Sequence, residues 1–257
     1  MIKKIFFIWF FWNPIFHFAQ QKGAISIEVS TSYHQFSMSE FNKIISLKRA
    51  NFHPSVNITN ASNIKDGYGF GFSLNYQLAK LIIIGTYSAY TKASSFTEFN
   101  FITGGDFGAP LDTVYRVENH DLHNLSLGLK TQFFINKLGF WERSTWLSRI
   151  ESVVELAGGY GFSRADFYYT FPDKESTGTY KEFNKVSGIH FMTNFKVGFK
   201  FSDKPLFSTL GLTLGYQYLK TNRLQGGEHN NYFFSKENTP KLDFSGFSAG
   251  IYLTFGK

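Results

Sequence analysis

The feature that most constrains the fold is an alternation of apolar residues with small or polar ones that recurs eight times along the chain. In the last stretch, Phe247, Ile251 and Phe255 fall on one face, and small or polar residues stand between them. Side chains of a strand point alternately to its two faces, so each stretch is predicted to be a β-strand with one apolar face. The stretches are 24–36, 67–78, 81–96, 123–134, 149–167, 188–201, 208–220 and 246–257. In the third, both faces begin apolar, and the pattern leaves open which face points outward.

The connections between these stretches alternate in length. Turns at 78–81 and 202–205 are tight, and the connection after the fourth stretch is somewhat longer. Long turns at one end and short turns at the other are typical of up-and-down barrels in the bacterial outer membrane. The sequence therefore predicts an all-β fold, a closed antiparallel transmembrane barrel of eight strands, with ten as the alternative count. The short turns are expected to face the periplasm, and the long polar loops the outside: 37–66, 97–119, 170–186 and 221–240.

The composition agrees with strands that face lipid on one side only. Aromatic residues make up 19% of the chain, there are 32 Phe and 23 Gly, and mean hydropathy is only −0.17. Beyond the N-terminus there is no apolar run of about 18 residues, which argues against a helical membrane protein. The chain has no cysteine, so an exported protein of this sequence must be stabilised without disulfides, for example by a closed hydrogen-bonded barrel.

The N-terminus has the organisation of a secretory signal peptide. Two lysines precede an apolar run at 5–12, and Ala19 follows as a small residue near the cleavage site. The run is too short to span a bilayer and is followed by Pro14, which disfavours the alternative of an uncleaved membrane anchor. We therefore expect residues 1–20 to be a signal peptide and residues 21–257 to form the barrel domain.

Charge and histidine spacing suggest no further chemistry. The formal charge of +7 is scattered through turns and loops without a basic stripe, so no nucleic-acid partner is predicted. His120 and His123 are three residues apart and should point to opposite faces of a strand, where they cannot share a metal. No metal or other cofactor is expected.

Four charged residues are predicted to point into the barrel. Glu28, Lys130, Glu155 and Lys196 all fall on the polar face of their strands and at roughly one level. Because unpaired charges in so narrow an interior carry a large desolvation cost, they are expected to form an ion-pair network that closes the lumen. Such interior charges also disfavour a soluble lipocalin-like barrel, whose interior would be apolar. The predicted hydrogen-bonding neighbours are Asn75, Gln132 and Asn194.

In its strand pattern, turn lengths and aromatic ending, the mature chain resembles the small outer-membrane barrels of the OmpA, OmpX and OmpW type. The resemblance implies that the terminal strand is read as an insertion signal by the barrel-assembly machinery of a Gram-negative envelope. In this chain Gly256 and Lys257 follow the terminal aromatic residue, whereas the family pattern usually stops at it. The implied partners are outer-membrane lipid, lipopolysaccharide and, as a further candidate, a larger envelope complex. The residues that carry the terminal pattern are Phe247, Ile251, Leu253 and Phe255.

The expected function is a structural, adhesive or accessory role in the cell envelope. Trp141 and Trp146, in the longer turn, are predicted to anchor the barrel at the periplasmic interface. Two alternatives remain open. One is a narrow solute pore. The other is a lipid A deacylase or acyltransferase, which would need a Ser and a His oriented by a carboxylate near the outer leaflet. The chain carries no His-x-Ser motif on a strand, so no catalytic residue is predicted.

Overall fold

The structure, a computed structural model, consists mainly of long antiparallel strands. The strands and the one helix of the described residues are, in chain order, β1 Ile25–Gln35, α1 Ser39–Ala50, β2 Val56–Ala61, β3 Asp66–Ala79, β4 Ile82–Thr103, β5 Asp112–Phe134, β6 Ile150–Thr170, β7 Glu182–Lys200, β8 Thr209–Arg223, β9 Lys241–Asp243 and β10 Gly246–Gly256. Short 3-10 turns lie at Asn136–Leu138 and Leu147–Arg149. The residues that the structure describes are 23–51, 56–103, 112–138, 147–170, 182–201, 208–224 and 239–256.

Eight of the strands form a closed ring. Around it they run in the order β1, β3, β4, β5, β6, β7, β8 and β10, and β10 pairs with both β8 and β1. Every pairing is antiparallel, and the first and last strands are joined from Ser26 opposite Gly256 to His34 opposite Ser248. The prediction of a closed eight-stranded antiparallel barrel is therefore confirmed. The two additional strands, β2 and β9, pair with β4 and β8 and do not enter the ring.

The apolar face of each barrel strand points outward. Leu127, Phe195 and Leu212 are 45%, 46% and 64% exposed on the outer surface, whereas the polar residues between such positions are mostly buried. The register also fixes the phase of the third predicted strand, which the sequence left open. Tyr87 is buried in the interior, where it lies opposite Ser73, and Tyr90 is exposed on the outer face.

Several strands are longer than the sequence pattern predicted, and β4, β5 and β7 are extended the most. They contain 22, 23 and 19 residues, whereas crossing a membrane takes about 9–11 residues of tilted strand. The interpretation of 97–119 as a loop was wrong for 97–103 and 112–119, because β4 and β5 stay paired up to Thr103 and Asp112. The interpretation of 170–186 as a loop was wrong for 182–186, which belong to β7 and pair with β6.

The predicted loop 37–66 also contains regular structure. Its first part forms α1, and its second part forms β2, which pairs with the C-terminal end of β4. The helical signal is brief, because the apolar residues Phe41, Ile44 and Ile45 span little more than one turn within a polar segment. The strand β2 has no clear alternation of apolar and polar residues. It forms because its backbone pairs with the projecting end of β4.

The tight turn predicted at 78–81 is present, with β3 ending at Ala79 and β4 starting at Ile82. The predicted turn at 202–205, the two tryptophans Trp141 and Trp146, and the signal peptide at 1–20 lie outside the described residues. Within the described ranges, no helix is long and apolar enough to cross a bilayer.

Candidate functional site

The half of the lumen nearer the short turns contains the four charged residues that the alternation predicted to point inward. β1 supplies Glu28, β5 supplies Lys130, β6 supplies Glu155 and β7 supplies Lys196, and each is at most 5% exposed. The structure thus brings all four together in one cluster, named here the lumen network.

Each ammonium group of the lumen network binds both carboxylates. Lys130 Nζ lies 2.9 Å from Glu28 Oε1 and 3.0 Å from Glu155 Oε2. Lys196 Nζ lies 2.7 and 2.6 Å from the same two atoms. Two positive and two negative groups therefore balance within hydrogen-bonding distance, as burial of charge requires.

Two neutral amides satisfy further carboxylate oxygens. The amide of Gln132 donates to both Glu28 and Glu155, at 3.1 and 2.7 Å, and Asn194 donates to Glu155 at 2.8 Å. The third expected neighbour, Asn75, does not join them, and its buried amide oxygen has no hydrogen-bond partner among the described residues. Asn75 pairs with Ser26 on one side, and on the other side with Gly85, which in turn pairs with Lys130.

The lumen network crosses the full width of the barrel. β1 and β6 stand on opposite walls, four places apart in the ring of eight, and Lys130 and Lys196 bridge Glu28 on one wall to Glu155 on the other. An eight-stranded barrel is only wide enough for its interior to be filled by side chains. The arrangement therefore obstructs passage along the barrel axis.

A small polar cavity lies next to the lumen network. Its volume is about 60 Å³, and its lining includes Ser32, His34, Thr213 and Gln217 as well as the four charged residues. A cavity needs at least about 10–15 Å³ to hold one water, so this one accommodates only a few. It is far too small for a solute.

The mouth at the long-loop end is filled by apolar side chains. Helix α1 contributes Phe41 and Ile45, which pack against inward residues of the barrel wall such as Leu122, Phe167 and Leu219. The rings of Phe41 and Phe167 stack with their centroids 6.1 Å apart. We call this cluster the mouth core; its buried members are Phe36, Met38, Phe41, Ile45, Ile64, Ala93, Leu122, Ala165, Phe167, Val186, Leu219, Leu224, Leu242 and Phe244.

Polar contacts fix the C-terminal end of α1 to the wall. Lys48 Nζ lies 2.6 Å from Glu118 Oε1 on β5. The Arg49 guanidinium donates to the Thr97 hydroxyl at 2.9 Å and to the carbonyl oxygens of Ser62 and Phe96 at 2.6 and 3.1 Å. Burial lowers the pKa of Arg49 and the Glu118 charge opposes this, but an arginine stays protonated in proteins. The helix is thus held by both its apolar face and its basic end.

Beneath α1, a serine, a histidine and a glutamate form a chain of hydrogen bonds. Ser95 Oγ lies 3.2 Å from His120 Nδ1, and His120 Nε2 lies 2.9 Å from Glu118 Oε1. Nucleophilic catalysis uses the same types of contact. Here, however, the three residues are at most 3% exposed, and the imidazole packs against Phe41 and Phe167. They face the interior and not lipid, and their geometry is that of an anchor for α1.

This anchor was not predicted from the sequence. His120 was considered only as a metal ligand, and Lys48, Arg49 and Glu118 were given no role. The available signal was the inward phase of Glu118 and His120 on β5, since such buried polar groups require partners. The partner helix could not be located from the strand pattern. Among the described residues, no group of three or more acidic or histidine side chains is arranged to hold a metal ion.

The outer surface divides into an apolar belt and a polar rim. Along β8, exposed Leu210, Leu212 and Leu214 give way to Tyr216 and Tyr218 and then to Lys220. On β4 to β6, the residues above the belt form ion pairs, with Lys92 Nζ 3.0 Å from Asp121 and Arg164 2.6 Å from Asp166. An apolar band with aromatic residues at its edge is the outer surface expected of a barrel in a bilayer.

The predicted insertion-signal residues lie on β10 at the seam of the barrel. Phe247 and Ile251 are 69% and 50% exposed on the outer face, and Leu253 and Phe255 are half-buried. All four belong to the strand that pairs with both β1 and β8.

Comparison with known proteins returned only remote structural similarities. No family model matches the chain, and no curated protein matches its sequence. One similar structure is the crystal structure of Ail, the attachment invasion locus protein of Yersinia pestis, in complex with the heparin analogue sucrose octasulfate. Its sequence is 12% identical, the TM-score is 0.40, and the match covers 91% of this chain and 100% of that one. A crystal structure of Neisserial surface protein A is 12% identical with a TM-score of 0.38, covering 89% and 96%. Identities this low leave the function to be inferred from the chain's own residues.

Proposed function

We propose that this chain is a surface adhesin of a Gram-negative outer membrane, a barrel without a transport path whose projecting sheet binds an external partner. The placement in the membrane is supported by the apolar belt and by the closed ring, which leaves no barrel strand edge unpaired in hydrocarbon. It implies export through the signal peptide at 1–20, insertion through the terminal strand by the barrel-assembly machinery, and surrounding lipopolysaccharide as the lipid partner.

The single observation that carries the adhesive role is the sheet formed by β2 and the upper parts of β4 and β5. This sheet stands above the polar rim, and β2 pairs with β4 along one edge from Val56 to Ala61. No described strand pairs with its other edge, and residues 57–61 are exposed. An exposed strand edge offers unpaired N–H and C=O groups to an added strand of another protein.

The same edge lacks two of the features that usually prevent such pairing. The six residues of β2 carry no charge and no proline, whereas natural sheets often protect an exposed edge with lysine or proline. Because β4 holds β2 in an extended conformation, a partner strand would meet a preordered template. This preorganisation lowers the entropic cost of binding.

A direct test compares cells that produce the chain with cells that produce a Thr59→Pro variant. Thr59 lies where the register between β2 and β4 shifts, and it has no partner in β4. Proline at this position should therefore disturb the free edge of β2 more than the pairing of β2 with β4. Adhesion would be measured on a cultured epithelial monolayer and on immobilised extracellular-matrix proteins. We expect the chain to raise adhesion several-fold and Thr59→Pro to abolish the gain.

The matched control is Thr59→Val, which changes the side chain but keeps the backbone N–H. Adhesion should survive in this variant, and both variants should retain the unfolding temperature of the barrel. Loss of adhesion in Thr59→Val as well would assign binding to the side chain. Absence of any adhesion gain in cells that display the protein would reject the adhesive role and favour the accessory one.

A further inference from the structure

The polar rim is most basic where β6, β7 and β8 meet. On the outer face Arg164 of β6 lies directly opposite Lys185 of β7, and Arg223 of β8 lies opposite Lys241 of β9. Like charges placed opposite each other across strands repel and destabilise the pairing. Asp166 offsets the first repulsion by binding Arg164, so the excess positive charge is carried by Lys185 and by the Arg223–Lys241 pair.

The carboxylates near this part of the rim neutralise two of its cations and leave the others. Asp166 is engaged by Arg164, at 2.6 Å, and Asp243 lies 3.5 Å from Lys220. No described carboxylate forms a salt bridge with Lys185 or with Arg223, and both side chains are exposed. Two cations thus remain without an acidic partner within the described part of the chain.

The surface between these cations is a groove with a volume of about 440 Å³. Arg164, Lys185 and Arg223 line its upper part together with the polar groups of Ser187 and Asn222, and Phe162 forms its lower edge. The groove is therefore basic at one end and apolar at the other.

The position of the groove identifies the class of ligand. Phe162, Ile189 and Tyr218 are exposed apolar or aromatic residues at the top of the belt. On the same three strands, the groove cations lie two, four and five residues beyond them. A phosphate bound by guanidinium and ammonium groups at this height would belong to a molecule whose chains run down the belt. A soluble anion would gain nothing from Phe162.

We propose that the Arg164–Lys185–Arg223 groove binds the phosphorylated headgroup of a glycolipid of the outer leaflet. The site orders one lipid against the β6–β7–β8 wall. It depends on the placement of the barrel in the outer membrane and is independent of adhesion by β2.

The experiment measures binding of diphosphorylated lipid A to the full mature chain in nanodiscs of neutral phospholipid. The test variant is Lys185→Gln with Arg223→Gln, and it leaves the Arg164–Asp166 pair intact. The control variant is Lys65→Gln with Lys92→Gln, which removes the same number of exposed positive charges elsewhere on the outer side. Since each cation near an anionic headgroup changes affinity by roughly fivefold, we expect about tenfold or greater weakening in the test variant and less than twofold in the control.

Two further measurements distinguish binding of a lipid phosphate from binding of free phosphate. Dephosphorylated lipid A should bind about tenfold more weakly than the diphosphorylated form, and millimolar inorganic phosphate should not displace the lipid. Equal affinity for both lipid forms, equal weakening in both variants, or displacement by inorganic phosphate would each overturn the proposal. Because this readout needs no adhesion partner, its failure is distinguishable from failure of the adhesive role.

Discussion

At the scale of single residues, the main determinant is the pairing of charges inside the barrel. Lys196 contacts Glu28 and Glu155 at 2.7 and 2.6 Å in a site that is almost fully buried. The value of such a network lies less in its net energy than in the cost of breaking it, because loss of one ammonium leaves two buried carboxylates to share the other.

Replacing Lys196 by Met should therefore lower the free energy of unfolding by about 3–5 kcal/mol. The measurement is urea unfolding of the barrel in lipid vesicles. The exposed residue Lys65, changed to Met as a control, should alter stability by no more than about 0.5 kcal/mol. Adding Glu155→Gln to Lys196→Met should recover much of the loss, because Glu28 then pairs with Lys130 alone. If Lys196→Met cost no more than the control, the network would not be a structural unit.

Much of this network could be predicted at the residue scale, for a physical reason. The two-residue period of a strand fixes which side chains point inward, and it puts Glu28, Lys130, Glu155 and Lys196 on the inner face, where the structure has them buried. Their heights could be counted only along each strand. The relative stagger of neighbouring strands could not be counted, and Asn75 was expected in a network that it does not join.

At the scale of elements, helix α1 is the least predictable part of the structure. Its fixed position depends on Phe41 in the mouth core and on Arg49 bound to groups of β4 and of segment 61–65. An isolated helix of 12 residues is marginal in water. Its formation follows from contacts with strands distant in sequence, which the local pattern of residues 39–50 does not contain.

The variant Arg49→Ala should loosen α1 without unfolding the barrel, since it removes the contacts to Thr97, Ser62 and Phe96. We expect faster trypsin cleavage after Lys43 in intact cells and faster amide exchange across residues 39–50. Leu47→Ala, at an exposed position of the same helix, is the control and should change neither. Unchanged protection in Arg49→Ala would show that the apolar face and the Lys48–Glu118 pair hold the helix without Arg49.

Strand β8 provides a test of the membrane boundary. Leu214 is 61% exposed in the middle of the belt, and Tyr218 lies two residues before Lys220 of the polar rim. An arginine at Leu214 should destabilise the barrel by about 2–4 kcal/mol, whereas an arginine at Tyr218 should cost about 0–1 kcal/mol. Both would be measured by unfolding in vesicles. Equal costs at the two positions would mean that the belt is not in hydrocarbon.

At the scale of the whole molecule, the architecture follows directly from the sequence. Eight amphipathic strands with apolar residues outward cannot remain an open sheet in lipid, because unpaired backbone groups there cost several kcal/mol each. Closure of β1 onto β10 satisfies those groups. The projecting ends of β4 and β5 and the small strand β2 were not predicted, since above the membrane no apolar face is required to mark a strand.

The whole molecule also has two separate obstructions along its axis. The lumen network fills the lower half, and α1 with the mouth core fills the end that carries the long loops. The two are built from different interactions, so a change that weakens one leaves the other in place. This arrangement favours an adhesive barrel over a pore.

Conductance in planar lipid bilayers tests this central claim most directly. The unmodified protein, inserted at known density, should give no steady channel at moderate voltage, because charged side chains bridge opposite walls of the lumen and α1 covers its mouth. A variant that combines Lys196→Ala with Arg49→Ala weakens both obstructions and should show channel openings that neither single variant shows. A large, steady conductance from the unmodified protein would contradict the account.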